Sequence, residues 1–203
     1  MRRKENRVAA SSWHDESAAS GLPRSISLIL ISWLTLNPSN DRQWQPEVAE
    51  TAWAETNGDD VTIHNVRNCD YRTEEDFTTR WETRTVRLSQ VTGIDLAIMY
   101  WGSPWIAHPI VSFRFADALP LCFSIETRKT IGQQYSAVRG LYRQYTLIYI
   151  VGDERDSSRV RSNYRHGEDV YLYRTMASPA QARVRFLELR KHHQHAPRSS
   201  ALV

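Results

Sequence analysis

Residues 100–128, YWGSPWIAHPIVSFRFADALPLCFSIETR, contain two alternating apolar runs separated by a short turn. This pattern predicts a β-hairpin, with residues 110–115 and 121–127 as its strands. A turn centred on Asp117 places His108 directly opposite Glu126, with both side chains on one face of the sheet. A shift of one residue in register would put them on opposite faces. The hairpin therefore predicts a histidine–carboxylate pair.

His108 and Glu126 are the candidate catalytic residues, because a carboxylate that binds an imidazole can orient it as a general base. We expect Glu126 to hydrogen-bond a ring nitrogen of His108 directly. A partly buried carboxylate in that position should raise the pKa of the histidine. The alternative interpretation is a polar side chain that is simply satisfied at the start of a strand.

A base of this kind needs a nucleophile, and neither cysteine of the chain suits the part. Cys122 shares the face of Glu126 but lies roughly 13 Å away along the strand, at about 3.3 Å per residue. Cys69 precedes Asp70, whose charge would raise the pKa of a thiol. Both cysteines are predicted to be structural. Arg67, Tyr71 and Arg128 are predicted to belong to structural hydrogen-bond networks rather than to contact substrate.

The chain as a whole has the size and composition of one main domain, with 203 residues and 41% hydrophobic side chains. Alternation from Val61 to Tyr173 indicates several strands, and Ser178-Pro179 signals the start of a helix that continues to Lys191. Residues 129–144 have apolar side chains at helical spacing, although two glycines weaken that prediction. The fold class is α+β, a mostly antiparallel sheet with one or two packed helices.

Three segments are expected. Residues 1–45 form a basic leader whose apolar stretch, 25–36, spans only about 18 Å as a helix and cannot alone cross a bilayer. This stretch is expected to be membrane-proximal, with a core element of the domain as the alternative. Residues 46–192 form the domain, and residues 193–203 form a disordered tail.

Neither the cysteines nor the histidines of the sequence indicate a bound metal or cofactor. The two cysteines lack metal-ligand spacing, and His192, His193 and His195 lie in the predicted tail, so no metal site is expected. Residues 128–203 hold 14 basic and 6 acidic side chains. This excess could meet an anionic partner, but solvated helix and loop faces are the favoured explanation.

Several blocks of the sequence resemble the Lnb N-terminal periplasmic domain family. They are 61–68 (VTIHNVRN), 70–72 (DYR), 100–104 (YWGSP), 106–108 (IAH), 123–128 (FSIETR) and 163–171 (NYRHGEDVY), and they occur in the expected order. The resemblance covers roughly residues 44–190. It implies a domain on the periplasmic side of the bacterial inner membrane, a lipoprotein or lipid substrate, and no nucleic acid partner. It also implies a circularly permuted papain-like (NlpC/P60-type) core, in which the active-site histidine precedes the cysteine.

The sequence departs from the family pattern at both ends. The family continues past the last helix into an Asn-Cys-Thr-Thr-like block that supplies the nucleophile, whereas this chain ends in HHQHAPRSSALV. Its leader also has only a short apolar stretch where the family pattern has longer membrane helices. The resemblance thus implies a Cys-dependent lipoprotein acyltransferase or transacylase that is truncated and has little thiol-dependent activity as it stands. The alternative is a non-catalytic periplasmic binding module for anionic lipid or another polyanion.

Overall fold

The computed structural model describes residues 41–136 and 145–191, together with Ser27, Ile31 and Gly140. The chain divides into two compact units, Met1–Asn37 and Pro38–Val203, and the elements below all belong to the second. The predicted leader up to residue 40 and the predicted tail at 193–203 lie outside the described residues, apart from Ser27 and Ile31, which are helical. Among the described residues, no helix is long and apolar enough to cross a membrane.

Ten strands and two α-helices make up the described fold. The strands are β1 (Trp53–Asn57), β2 (Asp60–Arg67), β3 (Asp70–Tyr71), β4 (Phe77–Thr78), β5 (Trp81–Arg87), β6 (Val91–Trp101), β7 (Ala107–Phe115), β8 (Leu121–Arg128), β9 (Thr146–Gly152) and β10 (Glu168–Arg174). The helices are α1 (Glu154–Arg159), which continues as a π-helical segment at Val160–Tyr164, and α2 (Pro179–Lys191). Short 3₁₀ turns occupy Pro46–Val48 and Leu88–Gln90.

Eight of the strands form one sheet in the order β1-β2-β9-β8-β7-β6-β10, with β5 paired to β2 beside this path. All neighbours are antiparallel except β2 and β9, which meet in parallel at Arg67 and Gly152. The small β3–β4 pair stands apart. The predicted α+β class with a mostly antiparallel sheet is therefore confirmed.

The hairpin has the predicted register. Val111 pairs with Phe123, Ser112 with Cys122, and Phe113 with Leu121. Its two faces differ in chemistry, as the alternation requires. One face places Phe113 and Phe123 in the main core, where both rings make edge-to-face contacts with Phe186 of α2. The other face carries the polar side chains.

Helix α2 begins where the sequence predicts. Ser178 precedes Pro179, its hydroxyl accepts from the Gln181 backbone N–H at 3.3 Å, and the Gln181 side chain accepts from the Ser178 N–H at 2.9 Å. This reciprocal cap satisfies two backbone donors that a helix start otherwise leaves unpaired. The predicted helix at 129–144 is absent from residues 129–136, which form a bridge, a turn at Gly132 and irregular chain. Gly140 is helical, and its backbone N–H donates to the Ser136 carbonyl at 3.0 Å.

Two backbone features bring β2 against α1. The ladder between β2 and β5 shifts register between Ile63 and Val66, around Asn65 at φ 58°, so the neighbouring side chains of Val66 and Arg67 are both buried. Gly152 ends β9 next to Arg67, where an added Cβ would lie 3.1 Å from the Arg67 carbonyl, the Asp156 carboxylate and the Ser157 hydroxyl. Glycine therefore permits this close packing of strand and helix.

Candidate functional site

His108 lies at the start of β7, on the polar face of the hairpin. The residue is partly buried, it pairs across the sheet with Met99, and its ring lies nearly parallel to that of Trp101 at 6.1 Å between centroids. The indole of Trp101 thus lies alongside the imidazole on the same side of the sheet.

The contact between His108 and Glu126 passes through a third residue. His108 Nε2 lies 2.8 Å from Ser124 Oγ, and the Ser124 hydroxyl donates to Glu126 Oε1 at 3.2 Å. The predicted direct hydrogen bond between Glu126 and the ring is therefore wrong, although the register and shared face are those expected. The ladder between β7 and β8 extends only from Val111 to Phe113, short of His108. The serine, two residues before Glu126, occupies the position between them.

Two arginines bind Glu126 instead. Arg67 donates to its oxygens at 3.2 and 3.4 Å, and Arg161 lies 3.5 Å away on the π-helical segment. The Glu126 side chain is 14% exposed. Burial alone would raise the pKa of Glu126, but Arg67 and Arg161 outweigh burial and hold the pKa well below its ordinary range. Glu126 is therefore ionised at any ordinary pH.

Arg67 is itself held by a second carboxylate. Its Nε donates to Asp156 at 2.7 Å, and Nη1 donates to the Glu47 carbonyl at 3.1 Å. Asp156 is fully buried and also accepts from the backbone N–H of Cys69 at 2.7 Å. Burial would lower the pKa of Arg67, but the charges of Glu126 and Asp156 raise it well above its usual value. The guanidinium is thus a fixed cation that joins β2, β8 and α1.

The pKa of His108 is lowered to about 4, so the predicted rise is wrong. Burial is the largest cause, because it disfavours the charged ring, and the positive charge of Arg161 acts in the same direction. Glu126 raises the pKa only in part, since its charge is shared with the arginines. At neutral pH the imidazole is uncharged, which is the form that can accept a proton.

These residues line one cleft of about 370 Å³. His108, Glu126, Arg67 and Arg161 lie along it together with Trp101, Tyr71 and Tyr135. The cleft combines an uncharged base, fixed charges and aromatic walls, which is typical of ligand sites. Among the described residues, no group of three His, Cys, Asp or Glu side chains could hold a metal ion.

The model of the Lnb N-terminal periplasmic domain family matches residues 77–197, which is more than half of the chain. The chain belongs to this family. No curated protein and no solved structure matches it. The matched region contains His108, Ser124, Glu126 and Arg161, whereas Arg67 lies before it. The family supports a periplasmic location for the domain and a place in a protein that modifies lipoproteins.

In this Lnb-family domain both cysteines are buried and free. Burial raises the pKa of Cys69 to about 11 and that of Cys122 to about 12. Cys122 packs against Ala97, Met99 and Ile110. Because the thiolate is the reactive form, neither thiol is activated at neutral pH in this environment.

Arg128 belongs to a structural hydrogen-bond network, as the sequence predicts. Its guanidinium donates to the carbonyls of Val48 and Ala49 at 2.9 and 2.5 Å and lies over the ring of Trp44. Arg67 also belongs to a structural network, through Asp156 and Glu126, and in addition it lines the cleft together with Tyr71.

Sequence reasoning missed Ser124, Arg161 and Asp156. The period of a strand signals Ser124, since it shares a face with Glu126. Asp153 precedes two acidic residues, which is a helix-start signal that could have located α1. Its side chain does accept from the backbone N–H of Asp156.

Proposed function

We propose that this Lnb-family domain supplies the histidine of a Cys-dependent acyl-transfer site that acts on lipoproteins or lipids at the periplasmic face of the bacterial inner membrane. The observation that carries the proposal is an uncharged, partly buried imidazole in a cleft, linked through a hydroxyl to an ionised carboxylate. Such an imidazole suits a general base because it is ready to accept a proton.

The proposed reaction has two halves. The imidazole takes the proton of a thiol, and the thiolate attacks the carbonyl carbon of an acyl ester. As the ester C–O bond breaks, the imidazolium returns the proton to the leaving alcohol, and a thioester remains. An amine then attacks the thioester, and the amine proton returns to the thiol as an amide forms. His108 carries the proton at each stage.

The thiol is proposed to come from a segment other than the described residues. Cys69 and Cys122 do not fit the role, because both are buried and both pKa values are raised. A mostly antiparallel sheet with α2 packed against it is consistent with the permuted papain-like core that we propose for the fold. In that order the cysteine follows the histidine along the chain.

The proposal can be tested by supplying the thiol from solution. The full chain is incubated with a small thiol, such as N-acetylcysteine methyl ester, and a short-chain p-nitrophenyl ester. We expect thiolysis to be faster than in buffer, and the increase to be lost in H108Q. H166Q removes an exposed histidine and serves as the matched control. Equal rates for H108Q and the unsubstituted chain would refute the proposed role of His108.

The second candidate, a binding module for anionic lipid, has less support. Three of the described arginines in residues 128–203 have acidic partners in the fold: Arg161 and Arg165 both lie near Glu168, and Arg174 lies near Asp95. Such pairing reduces the positive charge that is available to bind a polyanion. Sedimentation with anionic and zwitterionic vesicles separates the candidates. A binding module would bind only the anionic vesicles, and H108Q would bind equally well.

A further inference from the structure

Ser124 is the only residue whose side chain contacts both His108 and Glu126 within hydrogen-bond distance among the described part of the chain. It lies on β8 and is 3% exposed. A serine hydroxyl has one hydrogen and two lone pairs, so it can donate once and accept on its other side. Which neighbour receives the hydrogen decides the state of the imidazole.

The charges around Glu126 settle the direction of the first bond. Glu126 lies between Arg67 and Arg161, where the ionised carboxylate can only accept hydrogen bonds. The Ser124 hydrogen therefore points to Glu126 Oε1. This leaves a lone pair of Oγ facing His108 Nε2 at 2.8 Å. A lone pair can be matched there only by an N–H, so Nε2 carries the proton.

We infer that Ser124 is a positioning residue that fixes His108 as its Nε2–H tautomer and leaves Nδ1 as the base atom. The assignment follows from the hydrogen-bond geometry, and its role in catalysis rests on the proposed function. An uncharged imidazole has one N–H, so protonation at Nε2 leaves the lone pair on Nδ1. The thiol of the proposed reaction must then approach His108 from the Nδ1 side.

The bridge also explains how the ring is oriented without becoming charged. A carboxylate bound directly to Nε2 would favour the imidazolium, as in a simple ion pair. Here a hydroxyl separates the two groups, and the charge of Glu126 is directed towards Arg67 and Arg161. Ser124 therefore orients the imidazole by its hydrogen bond, and it keeps the charge of Glu126 from contacting the ring directly. The base is held in one tautomer and stays able to accept a proton.

The test is a two-dimensional ¹H–¹⁵N spectrum of the full chain labelled with ¹⁵N-histidine, recorded at neutral pH, with H108Q used to assign the His108 signals. Protonated and unprotonated ring nitrogens have widely separated ¹⁵N shifts. We expect Nδ1 in the unprotonated range and Nε2 in the protonated range. S124A should move both signals towards intermediate positions as the tautomers mix, and S124T, which keeps the hydroxyl, should restore the original pattern.

A protonated Nδ1 in the unsubstituted chain would overturn the assignment, and this result does not depend on any variant folding. An unchanged spectrum in folded S124A would overturn the role of the serine. Labelling of Ser124 by a fluorophosphonate would also overturn it, because the hydroxyl would then be a nucleophile.

The thiolysis assay separates this inference from the proposed function. S124A should lower the His108-dependent rate by at least about tenfold, since a mixed tautomer presents the base atom only part of the time and in a less fixed orientation. Loss of the single tautomer in S124A without any His108-dependent thiolysis would refute the proposed function and leave the tautomer assignment standing.

Discussion

Acid should destabilise this domain through His108, by an amount that follows from its two pKa values. The ordinary value is 6.5 and the folded value is about 4. Between them the unfolded chain binds a proton that the folded chain does not, so stability falls as pH decreases through 6.5 and the loss levels off below about 4. Linkage gives a loss of about 2 kcal/mol between pH 7 and pH 5, and about 3 kcal/mol in full.

The measurement is urea denaturation followed by tryptophan fluorescence at pH 7 and pH 5, for the unsubstituted chain and H108Q. Other groups titrate in both proteins, so the difference between them isolates the histidine. We expect the unsubstituted chain to lose about 2 kcal/mol more than H108Q on acidification. H166Q should behave as the unsubstituted chain does. An equal loss in H108Q, or a gain in stability on acidification attributable to His108, would refute the reasoning that burial and Arg161 dominate the environment of the ring.

Three further results are expected. E126Q should lower the free energy of unfolding by about 3 kcal/mol in urea denaturation, because it leaves two buried arginines without their shared carboxylate. E188Q breaks an exposed ion pair and should change the free energy of unfolding by less than about 1 kcal/mol in the same titration. Cys69 and Cys122 should react with a thiol reagent at neutral pH far more slowly in the folded chain than in urea; fast labelling of either would contradict the burial of the thiols. F186A should cost about 3 to 5 kcal/mol in urea denaturation, since it empties a fully buried position between three other phenylalanines, and a cost below about 1 kcal/mol would show that α2 packs elsewhere.

The local parts of the fold could be predicted from sequence because their signals are local. The hairpin register follows from two alternating runs and a short turn, and α2 begins at a serine followed by proline. In both cases the residues that define the structure lie within a few positions of one another. The helix predicted at 129–144 is absent from residues 129–136, since apolar spacing alone does not show that Gly132 lies in a turn and that Thr130 pairs with Trp44.

The electrostatics of the site could not be predicted in this way, because they depend on groups that are distant in sequence. Arg67 lies 59 residues from Glu126, and the bulge at Asn65 is what turns it inward. Arg161 reaches the same carboxylate from a π-helical segment that no pattern in the sequence indicated. A carboxylate seen alone opposite a histidine favours a charged ring. When two arginines bind the same carboxylate, their positive charges offset its effect on the pKa of the ring. Burial then decides the pKa of His108, and the imidazole remains a neutral base.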